Sequence, residues 1–376
     1  MGGRTGYVAP RRYHRKTRNC GGRLGCHQKC GSRRYRWWHP CKIVNKEKIM
    51  NLKNTKVSIV IPSYNAEKFI EETLDSVVNQ TWKNIEAFVI DDGSKDKTVE
   101  LARKFESDKL RVIKQKNSGA CVARNKGLEM STGKYIQYLD ADDVLSYDKI
   151  QAQVETLQGS DEYIAVSPTV HFMDGDDYKN MSPREESYWI HDNDDPVEFL
   201  VRLYGGDGER WMVQTSAWLT PKVICDKIGP WDESLLLDQD GEYFARAVLA
   251  SKGIRTTGGM NYYRRFFFGG NISAKANKKE NLESALHALN CKAKYIGEHT
   301  NSGRFKRALS TLYLEIAINA HPKFPDLVKI CEAKVKETGE KPHVPILGGT
   351  IIETTKKLFG WKTAKSLRHQ IHKITQ

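Results

Sequence analysis

Five aspartates fall in two short runs, Asp91-Asp92 and Asp140-Ala141-Asp142-Asp143, and each run closes an apolar stretch. Carboxylates this close repel one another unless a cation or hydrogen-bond donors stand among them. A hard divalent ion, Mg²⁺ or Mn²⁺, suits such an oxygen-rich site and keeps open positions for phosphate oxygens. Two more polar runs follow apolar stretches in the same way, Pro62-Ser63-Tyr64-Asn65 and Asn117-Ser118-Gly119. Turn preference alone accounts for some of these residues, but less readily for five aspartates at two neighbouring exits. No G-x-x-x-x-G-K-[ST] run is present, and no G-x-G-x-x-G follows the first apolar stretch. Phosphate is therefore expected on a metal, not in a glycine-rich loop, and a nicotinamide cofactor is not expected.

The elements that carry these runs alternate between two periods. Val57–Ile61 is a nearly continuous apolar run of the kind found in buried parallel strands. Phe69, Ile70, Leu74, Val77 and Val78 then share one side of a helix. Strand Ile85–Ile90, a helix from Ser94 to about Phe105, strand Leu110–Lys114, helix Ala120–Met130 and strand Tyr135–Leu139 follow. A helix near Asp148–Leu157 precedes strand Tyr163–Ser167. Such alternation predicts βαβ units and a mostly parallel sheet covered on both faces. In these sheets ligands bind beyond the carboxyl ends of the strands, which is where the four polar runs lie. Residues 170–215 are less regular, with Asp174–Asp177 and Asp192–Asp195 reading as loops. A strand at Gln214–Leu219, a turn at Gly229-Pro230-Trp231 and a helix from about Gly241 to Ala250 come next. Helical segments near 280–299, 302–320, 325–338 and 350–374 complete the chain.

The 376 residues carry a net charge of +14, which first suggests a nucleic-acid binder. However, residues 1–50 hold fourteen Lys/Arg and one acid, Glu47, so the other 326 residues are close to neutral at +1. A reader of phosphate backbones is expected to show its basic face on folded parts. Residues 1–50 have few aliphatics and no helix or strand period, and read as a disordered basic extension. Cys20, Cys26, Cys30 and Cys41, with His14, His27 and His39, have the chemistry to ligate zinc, but no C-x2-C pair occurs. The remaining Cys121, Cys225, Cys291 and Cys331 are scattered, as expected of reduced thiols in a cytosolic protein. No stretch is long and apolar enough for a membrane span, and no apolar core follows the basic N-terminus as in a secretory signal.

Taken together, Val57–Asn65 (VSIVIPSYN), Asp91–Asp96 (DDGSKD), Asn117–Asn125 (NSGACVARN) and Leu139–Asp143 (LDADD) resemble the family 2 inverting glycosyltransferases in order and spacing. The resemblance is strong over 56–160, weaker over 210–270, and absent from 1–50 and from the C-terminal helices. It implies an α/β glycosyltransferase-A fold with a Rossmann-like nucleotide half (56–160) and an acceptor half (161–270). A helical C-terminal region (271–376) follows. It also implies roles for the matching positions. Pro62, Tyr64 and Asn65 would lie beside the nucleobase, Glu67 at the ribose, and Asp92 would accept a hydrogen bond from the base. Asp91 and Asp96 would support that loop. Asn117, Gly119 and Arg124 would flank the nucleotide. Asp140 would hold the ribose or the metal, and Asp142 would bind the metal. For Tyr64, Asn65 and Asp96, helix entry and capping remains the other reading.

An inverting transfer needs a carboxylate to take the acceptor's proton. Asp238–Arg246 (DQDGEYFAR) is similar to the family's acidic motif, with Gln239 where the family commonly has an acid. The resemblance makes Asp240 the base, with Asp238 and Glu242 as fallbacks, and plain acidic capping of a helix as the alternative. Trp211 and Trp231-Asp232 are expected in the acceptor pocket or in packing. Arg264 or Arg265 is expected at the diphosphate or in a salt bridge. The expected donor is a UDP-sugar, with dTDP and GDP sugars left open. The acceptor is a glycan, a lipid-linked oligosaccharide or a protein, and no nucleic acid is expected. Segment 350–374 reads as a packed helix, with peripheral contact to an anionic membrane at its inner face as the second reading. Rival readings are a nucleotidyltransferase, which needs a glycine-rich loop after the first strand, an inactive sugar-nucleotide binder, and a zinc or nucleic-acid protein acting through 1–50.

Overall fold

The computed structural model describes residues 52–183, 190–265 and 278–374. The expected disordered extension and its zinc reading lie outside these residues.

A seven-stranded mixed sheet forms the centre. Its strands are β1 (Val57–Ser63), β2 (Ile85–Asp91), β3 (Leu110–Lys114), β4 (Tyr135–Tyr138), β6 (Tyr163–Val166), β8 (Trp218–Pro221) and β9 (Gly253–Thr256), ordered β3-β2-β1-β4-β8-β6-β9. β1, β2, β3 and β4 run parallel, whereas β8 is antiparallel to both β4 and β6. In register, Ser63 at the end of β1 meets Asp91 at the end of β2, which meets Lys114 of β3. The first, second and third polar runs in chain order thus leave the sheet at one edge.

The strands alternate cleanly. Val57, Ile59 and Ile61 face a core made with α1 (Ile70–Val78) and α4 (Lys149–Leu157). Val60 faces the other core, shared with α3 (Ala120–Met130), α5 (Pro196–Leu203), α6 (Lys222–Ile228) and α7 (Gln239–Ala250). The helix α3 lies so close on β1 that a Cβ at Gly127 would collide with Val60. A short helix α2 (Thr98–Arg103) lies between β2 and β3. Beside the main sheet, β5 (Val144–Leu145), β7 (Thr169–Phe172) and β10 (Asn261–Arg264) form a small sheet in the order β5-β10-β7. The C-terminal helices are α8 (Lys279–Gly297), α9 (Gly303–Ala320), α10 (Pro325–Thr338) and α11 (Thr350–Ile374). Ile296 of α8 and Phe305 of α9 join the same buried cluster as Tyr243 and Phe244 of α7.

The architecture expected from the sequence is present: a mostly parallel α/β sheet of glycosyltransferase-A type with a helical C-terminal region. Several elements differ in extent. The helix expected from Ser94 begins at Thr98, because residues 94–97 are held by side-chain bonds to the first loop. The loop expected at Asp192–Asp195 ends in a capped helix, with Asp195 accepting from the Val197 and Glu198 amides ahead of Pro196. Of the strand expected at Gln214–Leu219, residues 215–217 form a 3₁₀ turn and the strand runs Trp218–Pro221.

Candidate active site

The first two loops are laced together. Asn65, in a left-handed conformation at φ 49°, donates its amide to Ser94 Oγ at 2.9 Å, and its Oδ1 accepts from the Lys95 amide at 2.9 Å. Asp96 accepts from the Glu67 and Thr98 amides, and the Glu67 carboxylate accepts from the Lys97 amide at 3.0 Å. Asn65, Glu67 and Asp96 thus act between loops. Tyr64 is 49% exposed and follows half-buried Pro62 by two residues.

Asp91 and Asp92 are buried and divide their work. Asp91 Oδ2 accepts from the Ser94 amide at 3.2 Å, and its Oδ1 has no partner. Asp92 organises the third loop. Its carboxylate accepts from the Ser118 and Gly119 amides and from Gln115 Nε2, each at 2.8 Å, and Asn117 donates to its carbonyl. Gly119 has φ 100°, outside the range of side-chain-bearing residues, and α3 starts directly after it.

From α3, Arg124 reaches the centre of the site. Its guanidinium is buried, stacks 4.5 Å over the Trp231 ring, and donates to Asp140 Oδ1 at 2.9 Å and Gln239 Oε1 at 3.1 Å. Gln239 Oε1 also accepts from the Cys121 thiol at 2.6 Å. The acid-poor departure at 239 is therefore a neutral acceptor shared by two donors. Trp231 itself is buried and stacked on Tyr243 at 4.1 Å between centroids, so it packs beneath Arg124.

The fourth loop holds three carboxylates. Asp140 pairs with Arg124. Asp143 is buried, accepting from Ser216 Oγ at 2.8 Å and the Arg264 amide at 3.2 Å. No other residue among those described donates a hydrogen bond to the Asp142 carboxylate, which burial and the Asp140 charge push up to about 7. Burial and the charges of Asp142 and Asp140 raise Asp143 well above the carboxylate range. Thr73 Oγ1 lies 2.9 and 2.8 Å from the carbonyls of Ala141 and Asp143. Arg264 donates Nε to the Asp142 carbonyl at 3.1 Å and forms ion pairs with Glu72 and Asp174, so it is the salt-bridged arginine of the two alternatives. Arg265 lies 3.4 Å from His171 Nδ1. Among the described residues no three His, Cys, Asp or Glu side chains are grouped to enclose a metal. Asp140 and Asp142 are hard oxygen donors, one of them without a hydrogen-bond donor from another residue, and this fits a divalent ion completed by ligand oxygens.

The three acids at the start of α7 separate by environment. Glu242 is buried in a two-point pair with Arg246, at 2.7 and 2.8 Å. Asp238, left-handed at φ 60°, pairs with Lys292 of α8. Asp240 has no salt-bridge partner among the described residues. Burial and the Asp238 charge raise its pKa, with Arg124 opposing. Asp238 and Asp240 line a cavity of about 450 Å³ together with Tyr204, Trp211, Phe244 and Lys292.

Asp92 thus holds the Asn117–Gly119 loop that opens α3, Arg124 of α3 pairs with Asp140, and Asp240 lies within reach of the Arg124 and Asp140 charges, while Asn65, Glu67 and Glu242 are taken up in internal bonds. Sequence reading missed Asp143 as the buried third carboxylate, although it stands in the quoted LDADD run. It also missed Ser216, which bonds Asp143 and the Asp140 amide from 73 and 76 residues away, and Lys292. Neither carries a local pattern that marks it.

The chain has relatives among known glycosyltransferases. An uncharacterized glycosyltransferase of Rickettsia felis is 41% identical over 119 residues, covering 31% of this chain and 20% of that protein. Glycosyltransferase GlyA of Streptococcus pneumoniae serotype 4 is 30% identical over 171 residues, 44% of this chain and 24% of its own. The chain spans about a fifth to a quarter of the length of these relatives. The crystal structure of S. aureus TarS 1-349 in complex with UDP-GlcNAc shares the fold, at TM-score 0.51 and 16% identity, covering 84% of this chain and 92% of that one. Residues 58–215 match the glycosyl transferase family 2 model.

Proposed function

We propose that the protein is an inverting glycosyltransferase that moves a sugar from a UDP-sugar to a hydroxyl of a glycan or lipid-linked acceptor. One observation carries this reading: Arg124 ties Asp140, on the nucleotide half, to Gln239, the residue before Asp240. A donor anchored at the first crevice would place its anomeric carbon toward Asp240. The uridine preference draws support from the TarS structure, which is a complex with UDP-GlcNAc.

In this reading the nucleobase lies against Pro62 and Tyr64, with the Asp92-held loop and Gly119 beside it. Arg124 faces the diphosphate. Asp142, with Asp140, would hold Mg²⁺ or Mn²⁺, which when bound supplies positive charge to the departing diphosphate. Asp240 takes the proton of the acceptor hydroxyl as that oxygen attacks. A carboxylate whose pKa is raised by burial is the stronger base. The halves run over 56–160 and 161–270, with α8 and α9 of the C-terminal region lining the acceptor side, and segment 350–374 makes a peripheral membrane contact.

The test is thermal stabilisation of the full chain by nucleoside diphosphates and nucleotide sugars, with and without Mn²⁺. A ligand that binds only the native state raises stability by mass action. The expected result is a metal-dependent shift of several degrees with UDP or a UDP-sugar. No shift with any nucleotide would remove the enzymatic reading while leaving the fold intact.

A further inference from the structure

The far end of the described chain presents a surface that the glycosyl site does not use. At Gly360, φ 81° breaks α11 into two helices. On the first, Ile351, Leu358 and Phe359 are 72, 70 and 69% exposed, and Ile346 just before it is 82% exposed. Ile351 and Leu358 stand two turns apart on one face. The inner side is already packed, since Ile352 and Ala364 are buried with Leu314, Ile318 and Leu347. Large apolar side chains gathered outside a finished core mark a contact surface.

The second helix walls a cavity of about 550 Å³ with the turn between α9 and α10. Its titratable lining is His321, Lys323, Lys365, Arg368, His369 and His372, with no Asp or Glu. The nearby carboxylate of Glu332 is paired with Lys362 at 2.8 Å. His321 is held below its usual value by burial and by the charges of Lys362 and Lys365, and Lys365 by burial and Arg368. Lys323, Lys365 and Arg368 gathered around one cavity without an acid suit an anion among them. Residues 341–374 as a whole hold seven Lys/Arg against one acid, Glu353.

We propose that this cavity binds the phosphate of an anionic lipid headgroup, while the exposed apolar side chains of the first half of α11 enter the bilayer surface beside it. The proposal rests on the membrane-facing reading of 350–374 and names its ligand and the residues that hold it. Apolar residues flanked by lysines are what lets a helix lie in an interface and favour anionic lipid. A soluble phosphoryl ligand would use the cavity and leave Ile351, Leu358 and Phe359 without a role.

The test is flotation of the full chain with vesicles of phosphatidylcholine alone or with added phosphatidylglycerol. Binding should be roughly tenfold or more tighter with phosphatidylglycerol and should weaken in high salt. Lys323→Glu with Lys365→Glu should remove the preference for phosphatidylglycerol. Leu358→Ser with Phe359→Ser should weaken binding to every vesicle. Each variant is checked by its melting temperature, and Gln replaces Glu where the reversal unfolds the protein. Equal binding to both vesicles, or a preference that survives Lys323→Glu with Lys365→Glu, overturns the headgroup site. Stabilisation by inorganic phosphate without vesicle binding overturns the lipid in favour of a soluble ligand. The nucleotide shift is a separate measurement, so loss of either assignment leaves the other standing.

Discussion

At the scale of single residues, the site works by giving like groups unlike surroundings. Glu242 and Asp238 are each paired with a cation, whereas Asp240 has no salt-bridge partner among the described residues, and burial and the Asp238 charge raise its pKa. Asp240→Asn should therefore retain nucleotide-induced stabilisation yet lose transfer by a factor of ~10² or more, as read in a single-turnover assay with the identified acceptor. Near-normal turnover would move the base to Asp238. Asp142 makes a stability prediction with a definite sign. Its folded value, about 7, lies above its unfolded one, so the folded state binds the extra proton. In the absence of metal, the stability that Asp142 contributes should thus be fully present below about pH 4 and be lost as pH rises through about 7. Asp142→Asn should flatten this slope in calorimetry across that window, and an unchanged slope would reassign it to Asp143.

Elements set these environments by how closely they approach. Gly127→Ala would drive α3 off β1, and with it Arg124. The expected cost is about 1–3 kcal/mol, as for other overpacked cores, with a matching fall in melting temperature. A variant as stable as the parent would mean that Val60 gives way. The strongly apolar elements were readable in advance: β1, β2 and β3 follow from apolar runs within their own length. The small sheet was not. β5, β7 and β10 are two to four residues each and pair across about ninety positions or more, so their stability comes from partners that no local pattern reveals. The same holds for the site. The aspartates were legible because they cluster, but Ser216 was not, because a single serine matters only through the fold that carries it to Asp143.

On the scale of the whole molecule, the C-terminal helices are coupled to the chemistry. Lys292 is a buried residue of α8, yet its ammonium pairs with Asp238 at the head of α7. Lys292→Met would leave Asp238 uncompensated beside Asp240. It should cost about 1–3 kcal/mol, between the values for exposed and buried pairs, and displace the acid limb of the pH–rate profile to higher pH. Loss of stability without that displacement would make Lys292 a packing residue only.

The position of Arg264 in the chain bears on how the protein is made. The acid loop at 140–143 leaves the ribosome well before residue 264, whose amide, guanidinium and salt bridges fasten it. Chains are synthesised from the N-terminus and domains fold as units. The nucleotide half therefore emerges with Arg124 to pair with Asp140 but without Arg264 to hold Asp142 and Asp143. Until about 120 further residues have been added, the nascent chain can build its parallel strands but not a finished fourth loop, so competence to bind a donor arrives late and all at once.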